Sequence, residues 1–250
     1  MFELAKEIRF NKVGQNPFIV ISLLVNPKKP ENIAKAIEAG ADDVIIRPLQ
    51  ANKIYDRLRM ITYYRQPFVA TSDYIGPERK NQSFAHPGAR RVNVLNTMFE
   101  KVSGRTFNEW ELKEAIQESL GEVIEAQLTS QSMKMGLICD RILDAYNSNL
   151  LTPDVADLLE ALGSILKEAA DMARSVKDTS LEELCGSLAK NVGAMHAHYE
   201  TATKEELSLI DKLAQAFRMA IDSASQRKDE EEEEIAARYE GRVAGRAVEL

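Results

Sequence analysis

The chain contains little cysteine, histidine or tryptophan. Its 250 residues include 2 cysteines, 3 histidines and 1 tryptophan. Cys139 and Cys185 lie in apolar helical surroundings without partners at metal-ligand spacing, which predicts reduced core thiols rather than a disulfide or a metal centre. The scattered histidines support no Ser-His-Asp arrangement, and no glycine-rich segment forms a phosphate-binding loop. The sequence therefore predicts no catalytic residues, no metal site and no enzyme.

Long apolar runs are also missing. No stretch approaches the ~20 residues that a membrane span needs. Residues 1–7 begin as an amphipathic helix that carries acids, rather than as a signal peptide. Hydrophobic residues make up 44% and charged residues 28%, which is typical of a globular protein rather than a disordered one. These features predict a cytoplasmic protein that has no membrane partner.

Charge is divided unevenly along the chain. Residues 1–107 hold 17 basic and 10 acidic side chains, whereas residues 108–250 hold 15 basic and 29 acidic ones. A change of this size predicts a domain boundary near residue 107. It also argues against nucleic-acid binding, because the acidic second half repels phosphate.

Periodicity in the first 64 residues predicts alternating helices and strands. Helices are predicted over residues 2–12, 30–39 and 50–62, and buried strands over residues 18–25 and 44–46. The order α, β, α, β, α is that of the second half of a doubly wound sheet. Gly40 occupies the position where a helix C-cap needs a left-handed residue.

Residues 38–49 read E-A-G-A-D-D-V-I-I-R-P-L, and they resemble the last part of a receiver domain of two-component response regulators. The corresponding wording in that family is a-G-A-d-d-y-l-x-K-P. Residues 66–80 are similar to an extension found in one subset of the family, which ends in a phrase like Y-I-G-P-D-R-R, and residues 91–97 fit the same extension. The resemblance implies that residues 1–64 form an incomplete flavodoxin-like receiver with about two parallel strands.

The resemblance also implies what is missing. Receivers accept a phosphoryl group on an aspartate, aided by an acidic pair that holds Mg²⁺, by a Ser/Thr and by a lysine before proline. The aspartate and the acidic pair would lie upstream of Met1, so neither phosphorylation nor a Mg²⁺ cofactor is expected. The lysine position holds Arg47, which makes Arg47 and Pro48 a remnant of the phosphate site. An ion pair of Arg47 with Asp42 or Asp43 is the alternative interpretation.

Two parallel strands make a weak sheet, because such pairs need neighbours and cover on both faces. The predicted strand over residues 18–25 would expose a hydrophobic edge. Two explanations are open. Either the start of the sequence is set too far downstream and the chain is a fragment of a normal phosphorylatable regulator, or another surface covers the exposed edge of the half-sheet. In a homodimer, that surface would belong to a second copy of the chain.

The remaining chain is predicted as three segments. Residues 65–107 form an extended linker that wraps a surface, residues 108–226 a bundle of four amphipathic helices, and residues 227–250 an acidic helical tail. Helix starts in the bundle are predicted at Asn108, at Thr152 with Pro153, at Thr179 or Ser180, and at a capping box from Thr203 to Glu206.

Two functional hypotheses follow. In intact receivers the last strand and helix form the output face, so Ile54, Tyr55 and Leu58 are predicted to contact a protein partner such as a sensor kinase or another regulator. The alternative is a histidine-phosphotransfer bundle that uses His196 or His198. These two histidines are two residues apart on a helix, so they lie on different faces and do not share a metal.

Overall fold

The chain divides into two compact units, Met1–Ser130 and Gln131–Leu250, and each is described by itself. The predicted acidic tail, residues 227–250, and the end of the predicted bundle lie outside the described residues. The computed structural model describes residues 1–26, 29, 31–79, 90–148, 151–212, 215 and 219.

An α/β segment is followed by helices, as the sequence predicts. No helix in the described ranges combines the length and the apolar character that crossing a membrane requires. In chain order the elements are α1 Phe2–Arg9, β1 Ser22–Val25, α2 Glu31–Glu38, β2 Asp43–Ile46, α3 Ala51–Tyr64, β3 Phe68–Ala70, β4 Ile75–Pro77, β5 Arg91–Val92, α4 Thr97–Val102, α5 Glu109–Asn147, α6 Pro153–Ser175, α7 Thr179–Ala197 and a 3₁₀ turn Tyr199–Thr201. Residues 204–212 are also helical.

Strands β1 and β2 form a two-stranded parallel sheet. Their register runs from Ser22 opposite Asp43 to Val25 opposite Ile46. The predicted strand over residues 18–25 is too long, because the chain turns before Ser22. The Asn16 side chain accepts a hydrogen bond of 2.8 Å from the Phe18 N–H, which closes a turn typical of Asn. One face of the sheet packs against α1 and α2 in a core of small and branched residues: Ala5, Ile21, Leu23, Val25, Ala36, Ala39 and Ala41.

Residues 65–107, predicted as an extended linker without regular elements, contain three short strands and a helix. Strands β3, β4 and β5 form an antiparallel sheet in the order β4-β3-β5, and α4 follows. All three residues of β3 are buried. A four-residue turn closes the β3–β4 hairpin, where the Thr71 N–H donates to the Tyr74 carbonyl at 2.7 Å. The sheet packs with the Phe18 ring and with Val123 and Ala126 of α5 in a second core.

Helices α6 and α7 of the second unit are joined by three residues and pack along each other. Periodicity predicts six inward positions on α6, and three of them, Val155, Leu162 and Ala169, are buried. The other three predicted positions, Leu158, Ile165 and Met172, are half-buried, and their neighbours Leu159, Leu166 and Ala173 are buried instead. An interior stripe ~100° wide admits either neighbour by periodicity alone, so packing decides between them. Cys139 and Cys185 are buried and are not joined by a disulfide, and burial raises the pKa of Cys185 to about 12.

Two of the predicted helix caps are formed, whereas Thr152 precedes α6 as predicted but its side chain makes no capping hydrogen bond. The Asn108 Oδ1 atom accepts from the Glu111 N–H, and the Glu111 carboxylate accepts from the Asn108 N–H, both at 2.9 Å. The capping box of Thr203 and Glu206 is confirmed. The predicted cap of α7 at Thr179 or Ser180 is wrong. Asp178 caps this helix, because its side chain accepts a hydrogen bond from the Leu181 N–H at 3.0 Å.

Replacement of Asp178 by alanine is expected to destabilise the second unit by about 1 kcal/mol, because the N–H of Leu181 loses its acceptor. Urea unfolding followed by circular dichroism measures this loss. Asp171→Ala is the matched control, since Asp171 is exposed and its only described partner is exposed Arg174. Equal effects of the two substitutions would contradict the assignment of the cap.

Candidate interaction surface

Arg47 and Pro48, the predicted remnant of a phosphate site, follow the carboxyl end of β2 and are exposed. The Arg47 N–H donates to the Val25 carbonyl at 3.2 Å, which continues the ladder between the two strands by one step. Among the described residues, the predicted ion pair of Arg47 with Asp42 or Asp43 is not formed. Those aspartates lie at the other end of β2, and each residue of a strand advances the chain by about 3.3 Å.

Asp42 is instead held by two buried arginines. Its Oδ2 atom lies 2.6 Å from Arg9 Nη2 and its Oδ1 atom 2.8 Å from Arg65 Nε. The side chains of Arg9, Asp42 and Arg65 are 0%, 2% and 6% exposed. The Ile21 N–H also donates to Asp42 Oδ2 at 2.8 Å. Both carboxylate oxygens are therefore occupied, so Asp42 is placed as a structural anion rather than as a metal ligand.

Arg9 is buried in α1, whereas the amphipathic pattern of this helix predicts its charges on the side opposite the apolar residues. Its guanidinium donates to the carbonyls of Gly40, Pro17 and Ile19 at 2.6–2.8 Å. Burial lowers the pKa of Arg9 to about 10, and the Asp42 carboxylate opposes that shift. Arg9 therefore stays charged at neutral pH, and every charge in this cluster has a partner.

The buried cluster joins four segments of the first unit. Arg9 is the last residue of α1, Asp42 directly precedes β2, and Arg65 directly follows α3. Both guanidiniums lie over the ring of Phe68 in β3, at 5.0 Å and 4.9 Å from its centroid. The geometry is that of cation–π contacts, which are strongest when desolvated. We assign the cluster a structural role.

The predicted output-face residues lie on α3 at different depths. Tyr55 is 69% exposed and Leu58 is 44% exposed, whereas Ile54 is half-buried. Most of the other residues of α3 are exposed as well, and Ile61 and Thr62 are its only buried residues. Helix α3 therefore presents a wide surface that carries several large apolar and aromatic side chains: Tyr55, Leu58, Met60, Tyr63 and Tyr64.

Helix α4 stands beside α3 and contributes Val102 to the lining of an open groove of about 710 Å³. The rings of Tyr63 and Phe99 meet edge to face at 6.3 Å between centroids. We call this feature the α3–α4 groove. Its lining residues are Tyr55, Leu58, Arg59, Thr62, Tyr63, Tyr64 and Val102.

One asparagine fixes the two helices that form the groove. Asn96 Nδ2 donates to the carbonyls of Ile61 and Thr62 at 3.1 Å and 3.0 Å, near the end of α3. Its Oδ1 atom accepts from the Phe99 N–H at 3.3 Å and caps α4. Sequence reasoning missed α4 and Asn96. An asparagine directly before a possible first helical turn was the signal that could have found them.

His196 and His198 are exposed near the end of α7. His198 Nε2 lies 3.0 Å from Glu206 Oε1. The pKa of Glu206 is lowered, first by the N–H and hydroxyl of Thr203 and then by His198. A carboxylate with a depressed pKa contributes stability above its unfolded-state pKa, and this contribution is lost as the pH falls through the folded-state pKa.

No group of three or more His, Cys, Asp or Glu side chains in the described part of the chain is placed to hold a metal ion. No protein-family model matches the chain, and no curated protein or solved structure matches it either. The similarity of residues 38–49 and 66–80 to receiver domains therefore stays a prediction. The feature that the geometry itself supplies is the exposed, partly aromatic α3–α4 groove.

Proposed function

We propose that the chain is a response-regulator-like signalling protein of two-component phosphorelay systems that acts by protein–protein contact. In this proposal the first unit corresponds to the last part of a flavodoxin-like receiver, a part that does not include the phosphoacceptor aspartate or the Mg²⁺-binding acids. The observation that carries the proposal is the exposure of Tyr55 and Leu58 on α3, the helix whose counterpart in receivers contacts partners.

The topology of the first unit is compatible with this proposal. Strands β1 and β2 are parallel and adjacent, α2 connects them, and α3 follows β2. A connection of this kind is the building block of doubly wound sheets. The turn of Arg47 and Pro48 lies at the carboxyl end of β2, as the resemblance requires.

Contact is favoured over histidine phosphotransfer by the surroundings of His198. A phosphoryl group on its Nε2 atom would lie beside the Glu206 carboxylate, and like charges at hydrogen-bond distance repel each other. His196 has no carboxylate within ion-pair distance among the described residues, and acid-labile phosphate on this residue would favour the alternative.

The proposal predicts that Leu58→Lys removes the partner. Proximity labelling in the source cells, with the full chain as bait, is expected to mark a sensor kinase or another regulator. Labelling of that protein should fall by roughly tenfold in Leu58→Lys, because a charge placed in an apolar contact disrupts it. The matched control is Leu137→Lys, since Leu137 is exposed on α5 in the second unit. Equal labelling by Leu58→Lys and wild type would count against the proposal.

A further inference from the structure

The shape of the α3–α4 groove selects an extended partner rather than a small molecule. Pockets for small molecules bury about 70–90% of the surface of the ligand. All lining residues of this groove except Thr62 are exposed, so its floor is shallow and open. Tyr55, Leu58 and Thr62 are spaced three and four residues apart and extend about 10 Å along α3. That pattern suits a partner helix with apolar residues at the same spacing.

The charge of the groove indicates that the partner carries negative charge. Arg59 is the only charged side chain that lines it. Within the described ranges Arg59 has no ion pair, whereas its neighbour Arg57 is paired with Asp43. Helix α3 carries three basic residues and one acid, Asp56. A guanidinium between exposed aromatic and aliphatic side chains is suited to a carboxylate, which it binds with two parallel hydrogen bonds.

We infer that the α3–α4 groove binds an acidic amphipathic helix of a partner protein. Apolar side chains of that helix pack against Leu58 and Val102, and one of its carboxylates pairs with Arg59. The inference rests on the proposed function, since it concerns the same surface, and adds the chemistry of the partner. A single cation that has no ion pair among the described residues, in an otherwise uncharged groove, fits one carboxylate better than the repeated phosphates of a nucleic acid, which require several basic contacts.

The inference is tested with a displayed library of 16-residue helical peptides selected against the full chain. Enriched peptides are expected to carry apolar residues three or four positions apart with an adjacent Asp or Glu. Selection against Arg59→Glu is expected to enrich Lys or Arg at the same position. Lys53→Glu is the matched control, because Lys53 is exposed on the same helix and does not line the groove. Its selected peptides should stay acidic.

Affinity of the most enriched peptide is then measured by fluorescence polarisation. Arg59→Glu should weaken binding at least about tenfold, Lys53→Glu should change it little, and added salt should weaken it for the wild type. Four results would overturn the inference: no enrichment, a basic or neutral consensus, equal binding by Arg59→Glu, and stronger binding of single-stranded oligonucleotides than of any peptide.

Failure of this inference is distinguishable from failure of the proposed function. The cellular labelling experiment is repeated with Arg59→Glu beside Leu58→Lys. If the partner is lost only in Leu58→Lys, the surface is used but its partner is not acidic. If neither substitution changes the labelling, the proposed function fails together with the inference.

Discussion

Replacement of Asp42 by asparagine is expected to lower the free energy of unfolding of the first unit by about 3–5 kcal/mol, the usual cost of breaking a buried ion pair. Asparagine keeps the shape of the side chain but removes its charge. Arg9 and Arg65 are then left buried, close together and without an anion. Both also lie against the Phe68 ring, so neither can turn to water without opening the core that contains this ring.

The effect of Asp42→Asn is measured by urea unfolding followed by circular dichroism, with hydrogen exchange of residues 18–46 as a local probe. Asp171→Asn is the control, because the ion pair of Asp171 with Arg174 is exposed and should contribute at most about 1 kcal/mol. A loss in Asp42→Asn as small as that of the control would show that Asp42 is not the anion on which the two arginines depend.

Gly40→Ala is expected to destabilise the first unit by about 2–5 kcal/mol, from a left-handed backbone and a collision combined. Gly40 has a φ of +74°, in the region that side chains rarely adopt. A Cβ atom at this position would collide with the Ile75 carbonyl oxygen of β4 and lie 3.0 Å from Arg9 Cγ. The hairpin β3–β4 would have to move away from the start of β2.

Gly14→Ala separates the effect of the left-handed backbone from the effect of the collision. Gly14 has a φ of +85° and open space where its Cβ would lie, so only the backbone term of about 1–2 kcal/mol is expected. Thermal unfolding of both variants gives the difference due to the collision. Similar melting temperatures would contradict the close approach of the hairpin to Gly40.

Local features of this chain could be predicted because they depend on neighbours in sequence. The N-cap at Asn108 and the capping box at Thr203 were found, as were the parallel strands and the helix between them. Gly40 was correctly assigned a left-handed conformation from its place after α2. Each of these features is stabilised by groups within four residues or by a strong hydrophobic period.

Features that depend on distant residues were missed. The strands of the β3–β4–β5 sheet have only two or three residues, which is too short to show the alternating hydrophobic pattern of a strand. The burial of Arg9 depends on a carboxylate 33 positions away. Asn96 acts on the end of α3, about 35 positions earlier in the chain. No local pattern encodes these pairings, because they form only when the segments come together.

The sequence by itself determined the order of helices and strands over residues 2–62, the N-caps at Asn108 and Thr203 and the change of charge near residue 107. The tertiary structure decided that Asp42 belongs to a buried cluster with Arg9 and Arg65, whereas Arg47 stays exposed. It also placed α4 beside α3, so that Val102 joins the residues of α3 that line the groove. The physical reason is that a charge can be buried only where opposite charge and hydrogen-bond partners converge, and that convergence is a property of the folded chain.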